Sequence, residues 1–290
     1  MANKLFSAIK NKGKNLESEM SFFEHLNVLR GHLIRSVIAV VIFTSIAGWY
    51  WRYLLNTIIL GPWAKDFWTY GIMCKIGTAL HLDGWCYEGA KGTEVKMITT
   101  QMAGQFNLVM NSCITTGLVL GIPYFLYEVW RFIKPALHEK ERKAASGFVF
   151  YASTLFLLGV LFGYFIITPL SVQFLVGMNV SDMIEVKIDV SSYLSTVTTL
   201  SLGSGLVFEL PILIYLLASL GILNAGLMRR TRRYAILIIL IIAAIITPTP
   251  DMMTMSIVAV PLLFLYEIGI WVAAGVGKRR EKKSEELMKS

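Results

Sequence analysis

The chain has 290 residues, 55% of them hydrophobic and 16% charged, with a mean hydropathy of +0.61. A soluble domain carries about 25% charged residues, and a chain of this size could not hide so much apolar surface in one water-soluble core. Three Cys, 23 Gly and 8 Pro exclude a disulfide scaffold, a collagen or a disordered chain, which leaves a polytopic membrane protein.

In chain order, residues 1–20 are a polar, basic tail. The stretch ahead of the first apolar run is too long for the charged head of a signal peptide and no small-residue cleavage site follows, so a retained anchor is expected. Segment 21–33, SFFEHLNVLRGHL, places Phe22, Leu26, Leu29 and Leu33 at helical spacing and reads as an amphipathic entry to the first span. Six apolar stretches follow, at about 33–51, 106–130, 145–170, 194–220, 234–249 and 252–276, ahead of a basic tail at 277–290. About 20 apolar residues cross the hydrocarbon as a helix. Backbone groups in lipid must pair within the segment, and no period-two alternation argues for a barrel. The fold class is therefore all-α: a bundle of six transmembrane helices.

The first helix is interrupted only by Arg52 and Asn56 until Gly61-Pro62 stops it. The loop 52–103, rich in Trp63, Trp68, Tyr70, Trp85 and Tyr87, reads as a cap on the outer interface. Cys74 and Cys86 fall in it, and a disulfide between them is one pairing open to the chain. Cys113, in the second span, reads as a small buried hydrophobe. The fifth span, Tyr234 to Thr247, is cut off by Thr-Pro-Thr-Pro-Asp. Its helix spans about 21 Å, some 9 Å short of a typical core.

Basic residues set the orientation. They cluster in the N-terminal segment, between the second and third spans, at Arg229, Arg230, Arg232 and Arg233, and in the C-terminal tail. Arg52, Lys65, Lys75, Lys91, Lys96 and Lys187 lie on the opposite side. The positive-inside rule then puts both termini in the cytoplasm. The net charge of +8 is accounted for by topology, without a nucleic-acid partner.

Phosphate-loop, dinucleotide, zinc-protease and nucleophile-elbow motifs are absent and the four His are scattered. Neither an enzyme nor a metal or cofactor is expected. Glu209, in the middle of the fourth span, is the costliest residue: a charged side chain at mid-bilayer costs about 2.5–3.5 kcal/mol on insertion scales. It reads as a contact for a polar partner helix or a proton relay, against the plainer role of capping backbone groups freed by Pro211. The Ser and Thr between 191 and 204 suggest either an outward-opening wet concavity or ordinary interhelical glue. Glu128 and Glu267 read as snorkelling to the cytoplasmic interface. Gly117/Gly121 and Gly159/Gly163 read as close helix crossings. Segment 131–143, RFIKPALHEKERK, reads from its residues alone as a solvated loop.

Four motifs change that last reading. FEHLNVLRGHL ahead of the first span, Phe132-Ile133-x-Pro135-Ala136-Leu137-x-x-x-Glu141-Arg142 after the second, Phe208-Glu209-x-Pro211 in the fourth and Thr-Pro-Thr-Pro-Asp after the fifth occur in order. Together they resemble TatC, the polytopic subunit of the twin-arginine protein translocase. The resemblance implies a receptor and scaffold in the bacterial inner membrane. Such a protein binds twin-arginine signal peptides at the cytoplasmic face and assembles in multiple copies with TatA and TatB to export folded proteins on the proton-motive force. It implies signal-peptide contacts at Glu141, Phe132, Pro135 and Arg142. It also implies partner-helix contacts at Glu209 and Thr247, and shaping roles for Pro62, Phe106 and Asp251. The first motif departs from the family pattern, with Val28 where an acid is usual and His32 where an Arg is usual; Glu24, one turn earlier on the same face, is the expected substitute. The alternative class is a proton-coupled solute transporter with Glu209 as its ion site, but the internal repeat common in transporters is missing.

Overall fold

A computed structural model describes residues 22–64, 67–79, 97–134, 147–177, 187–219, 221–247 and 252–289, without the side chains of 22–26, 76, 253 and 279–289. Helix α1, Phe22–Trp49, continues past a break at Tyr50 through Trp51–Tyr53, a π-type stretch Leu54–Ile59 and a 3-10 turn Gly61–Trp63. The helical path therefore runs as far as the Gly-Pro pair. Helix α2 is Trp68–Ala79, α3 Gly104–Ile133 and α4 Phe148–Phe162. A π-type turn, Gly163–Ile167, joins α4 to α5, Thr168–Gly177. Then come α6 Val190–Phe208, α7 Leu210–Ser219, α8 Ala225–Arg230, α9 Arg232–Ile246 and α10 Met252–Lys289.

Five spans among the described residues are long and apolar enough to cross a bilayer: 27–49, 104–133, 148–177, 190–219 and 254–278. The sixth, α9, has 15 residues, about 22 Å against a typical core of about 30 Å. It is the short fifth span of the sequence. The third span reaches Gly177 and the last helix continues to Lys289, both beyond the stretches read from hydropathy, because helix propensity does not end where apolar composition does.

Glycines set the closest crossings. A Cβ at Gly117 would lie 2.8 Å from the Cα of Thr44, and one at Gly121 would lie 2.7 Å from Val40, so α1 meets α3 nearly backbone to backbone. On the other side, a Cβ at Gly159 would lie 2.8 Å from the Cα of Gly205, and one at Gly163 would lie 2.9 Å from that of Ser201, which presses α4 onto α6. Both pairs act within one bundle, as small residues do between membrane helices.

Side chains fill the space in layers. Trp130 stacks on Phe148 at 4.3 Å between ring centres, beside Ala152, at the basic end. Ile167, Leu200, Ile239, Ala243, Val258 and Leu262 form the middle. Ala47, Leu54, Ile59, Cys113, Val172 and Tyr193 form the layer at the opposite end. There Met97–Ile98 (β1) pairs in parallel with Ile188–Asp189 (β2). Two residues a strand carry no alternation, so nothing in the sequence pointed to this pair.

The cap is tied to the bundle by backbone acceptors. Pro62 is fully buried, and its carbonyl accepts from the Tyr70 hydroxyl at 2.7 Å; the Ile59 carbonyl accepts from Tyr193 at 2.9 Å. Cys74 on α2 is disulfide-bonded and Cys113 is free and buried. Cys86 lies outside the described residues.

Candidate functional site

Two places carry polar chemistry that a membrane bundle does not need for itself. The first is at the basic end, where α1 and α3 meet. Glu128, near the end of α3, is 1% exposed. Its Oε2 accepts from Nδ1 of His32 on α1 and its Oε1 accepts from the Tyr124 hydroxyl at 2.9 Å, one turn back on the same helix. Arg35 approaches Oε2 with its Nη1 at 3.8 Å from a side chain that is half exposed. Phe132, one turn beyond Glu128, sets its ring edge-on to His32 at 6.1 Å.

This corrects the snorkelling read into Glu128. The side chain does not reach outward; it is held inside by partners on two helices, because His32 and Arg35 on the facing helix offer it charge and hydrogen bonds that lipid cannot. His32 and Glu128 are 96 residues apart. The available signal was complementarity, an acid in one apolar run and a His in another, both near the same end. Glu267 does lie at the boundary: it is partly exposed and pairs with Arg232 at 2.7 Å, while Tyr266 donates to the Met228 carbonyl at 2.9 Å.

Of the residues expected to meet a signal peptide, Phe132 stands on this cluster. Glu24 lies on the first turn of α1, its side chain undescribed. Pro135, Glu141 and Arg142 lie outside the described residues. The segments that carry them in and out, Phe132–Lys134 and Gly147–Phe148, are drawn together by the Trp130–Phe148 stack.

The second place is Glu209, at the joint between α6 and α7. The break follows from the next residues, since Pro211 has no N–H to give and restrains Leu210. The Glu209 N–H bonds back to Leu206 at 3.2 Å and its carbonyl accepts from Ile212 at 3.0 Å, which carries the chain across. The side chain is 8% exposed, and neither carboxylate oxygen has a hydrogen-bond partner among the described residues. It therefore does not cap the groups that Pro211 frees. Along α6, Ser192, Ser195 and Thr199 are exposed, while Ser201 and Ser204 are buried with hydroxyls that have no hydrogen-bond partner among the described residues. The hydroxyl run thus divides between an open face and the glycine crossing. Thr247 is buried, its hydroxyl donating to Ala243 at 2.9 Å. Phe106 is exposed at the start of α3, and Asp251 lies outside the described residues. No cluster of metal-ligating side chains occurs among the described residues.

Comparison with known proteins bears on what this geometry is for. Residues 24–261 match the family model described as TatC, Sec-independent protein translocase protein. A Sec-independent protein translocase protein TatC of Blattabacterium is 37% identical over 268 residues, covering 92% of this chain and 100% of the relative. That of Aquifex aeolicus is 32% identical over 272 residues, covering 93% and 100%. Two crystal structures of the twin-arginine translocase receptor TatC are similar in fold. One has a TM-score of 0.61 at 31% identity and covers 86% of this chain and 98% of that one. The second, obtained in the detergent DDM, has a TM-score of 0.66 at 32% identity and covers 86% and 99%.

Proposed function

The chain belongs to the TatC family and is a multi-pass membrane subunit of the twin-arginine translocase, and on that premise we propose that it is the subunit that reads the signal peptide. Its site lies at the basic end of α1 and α3, which faces the cytoplasm of a bacterial inner membrane. Glu141, in the segment between α3 and α4, takes one arginine of the paired-arginine segment and Glu24 on the first turn of α1 takes the other. Phe132, Pro135 and Arg142 shape the surface between them. A guanidinium offers a planar fork of donors to a carboxylate, which an ammonium cannot copy. Each charged hydrogen-bonded contact contributes about 1.5–3 kcal/mol, so two such contacts together contribute a factor of hundreds or more to the affinity for the paired-arginine segment.

Small single-span partners of the TatA and TatB kind pack near Glu209 and the end of α9 at Thr247, in a multi-copy assembly that moves folded cargo on the proton-motive force. The buried carboxylate of Glu209 lacks a partner among the described residues, which suits a residue completed by another subunit's polar group. The observation that carries the reading is the likeness, along 86% of the chain, to solved twin-arginine translocase receptors.

The test places a photo-crosslinking residue at Phe132 in cells making a twin-arginine precursor. The expected adduct contains the precursor and disappears when both arginines are changed to lysine. An adduct that persists with the lysine precursor contradicts the proposal. Proton-driven solute uptake by this chain alone in proteoliposomes would favour a transporter built on Glu209.

A further inference from the structure

We propose that Glu128 is a further guanidinium-reading carboxylate of the signal-peptide site, and that Arg35 is its resident occupant, displaced when a ligand arginine arrives. The inference rests on the receptor reading above and deepens it. A carboxylate offers about four acceptor positions. In Glu128 two are taken, one by the largely buried His32 of α1 and one by Tyr124 of its own helix. Arg35 approaches Oε2, the oxygen that His32 already holds, at 3.8 Å, beyond the roughly 2.7–3.2 Å of a formed N–H···O bond. Its side chain is 52% exposed, so this is a loose, partly screened pair of the kind that contributes little. A guanidinium already reaches Glu128 from the open side.

The surroundings suit a visiting arginine. Phe132 flanks the cluster through His32. On α1, Val28 precedes His32 by one turn, about 6 Å. It is 41% exposed and brings no carboxylate of its own. At the same end Glu267 is already joined to Arg232. Among acids there with described side chains, Glu128 is the one whose pairing with an arginine is unfinished. Replacing Arg35 by a ligand arginine leaves the cluster's charge unchanged, so the exchange adds no buried charge. The incoming guanidinium gains the bonds that Arg35 does not make.

The experiment uses the full chain in lipid nanodiscs and four labelled signal peptides carrying Arg-Arg, Arg-Lys, Lys-Arg and Lys-Lys. Glu128→Gln keeps the shape and an acceptor for His32 while removing the charge. The expected result is a loss of about tenfold or more in Arg-Arg affinity, with discrimination erased at one of the two peptide positions and kept at the other. Arg35→Ala is expected to tighten Arg-Arg binding several-fold, and it decides the matter if the Gln variant does not fold. Equal weakening of all four peptides by Glu128→Gln, or no weakening, overturns the assignment, as does Arg-Arg affinity that is unchanged or lowered in Arg35→Ala. A parent chain that binds Arg-Arg and Lys-Lys alike sinks the receptor reading itself, and this inference with it. Discrimination kept intact in Glu128→Gln sinks the Glu128 assignment alone.

Discussion

Glu209 costs the isolated subunit stability. A buried polar group left unsatisfied is penalised by about 1–3 kcal/mol, and among the described residues neither oxygen of this carboxylate has a hydrogen-bond partner. Glu209→Leu is therefore expected to raise the thermal unfolding temperature of the purified chain in detergent. The same change is expected to abolish crosslinking between the end of α6 and a single-span partner. A fall in stability would mean that the carboxylate has a partner in the free chain. Asp189, outside the spans, behaves in the opposite sense. The Thr100 hydroxyl first, then the Ser191 N–H, hold its carboxyl at about 2 instead of 3.8. A depressed value stabilises the cap in full above the ordinary range, and the contribution disappears as pH falls through about 2. Hydrogen exchange at the Thr100 amide, which donates to Asp189 at 3.3 Å, should therefore show protection at neutral pH that is lost in acid. In Asp189→Ala that amide should be unprotected throughout; protection equal to that of the parent at neutral pH would mean that Asp189 does not hold Thr100.

At the scale of elements, the helix pair α1–α3 depends on absent side chains. With 2.8 Å between a Gly117 Cβ and the Cα of Thr44, a larger residue forces the helices apart, and overpacking of this kind costs about 1–3 kcal/mol or more. Gly117→Val should lower the unfolding temperature, whereas Gly275→Ala, where a Cβ meets nothing within 4 Å, should leave it within a degree or two. Equal effects would contradict the crossing. These crossings and the short α9 were legible in the sequence because spacing and length carry them: glycines four apart, and a Pro-rich turn too early for a full span. The His32–Glu128 bond was not, since a pairing between distant residues leaves no periodicity in one chain. Glu128 and Glu267 looked alike as acids near aromatic residues in apolar runs. Only the facing helix distinguishes them, with His32 drawing one inward and Arg232 meeting the other at the boundary.

The whole molecule joins two polar ends through an apolar middle. Exposed Trp49, Tyr50, Tyr53, Trp68 and Phe106 form a belt at the end away from the basic residues, where amphipathic rings favour the membrane interface. The α9 helix is too short to span alone, so the bilayer beside it thins or another helix covers it. The basic end gathers Phe132, His32, Glu128 and the Trp130–Phe148 stack between α3 and α4. The receptor account stands on carboxylates at that end gripping paired guanidinium groups. The direct measurement is the equilibrium affinity of the full chain in nanodiscs for an Arg-Arg signal peptide and its Lys-Lys counterpart, before and after Glu24→Ala and Glu141→Ala are combined. The account predicts that the double variant binds the Arg-Arg peptide at least about a hundredfold more weakly, keeping over Lys-Lys only the smaller preference that Glu128 supplies. An unchanged preference for Arg-Arg in the double variant would contradict it.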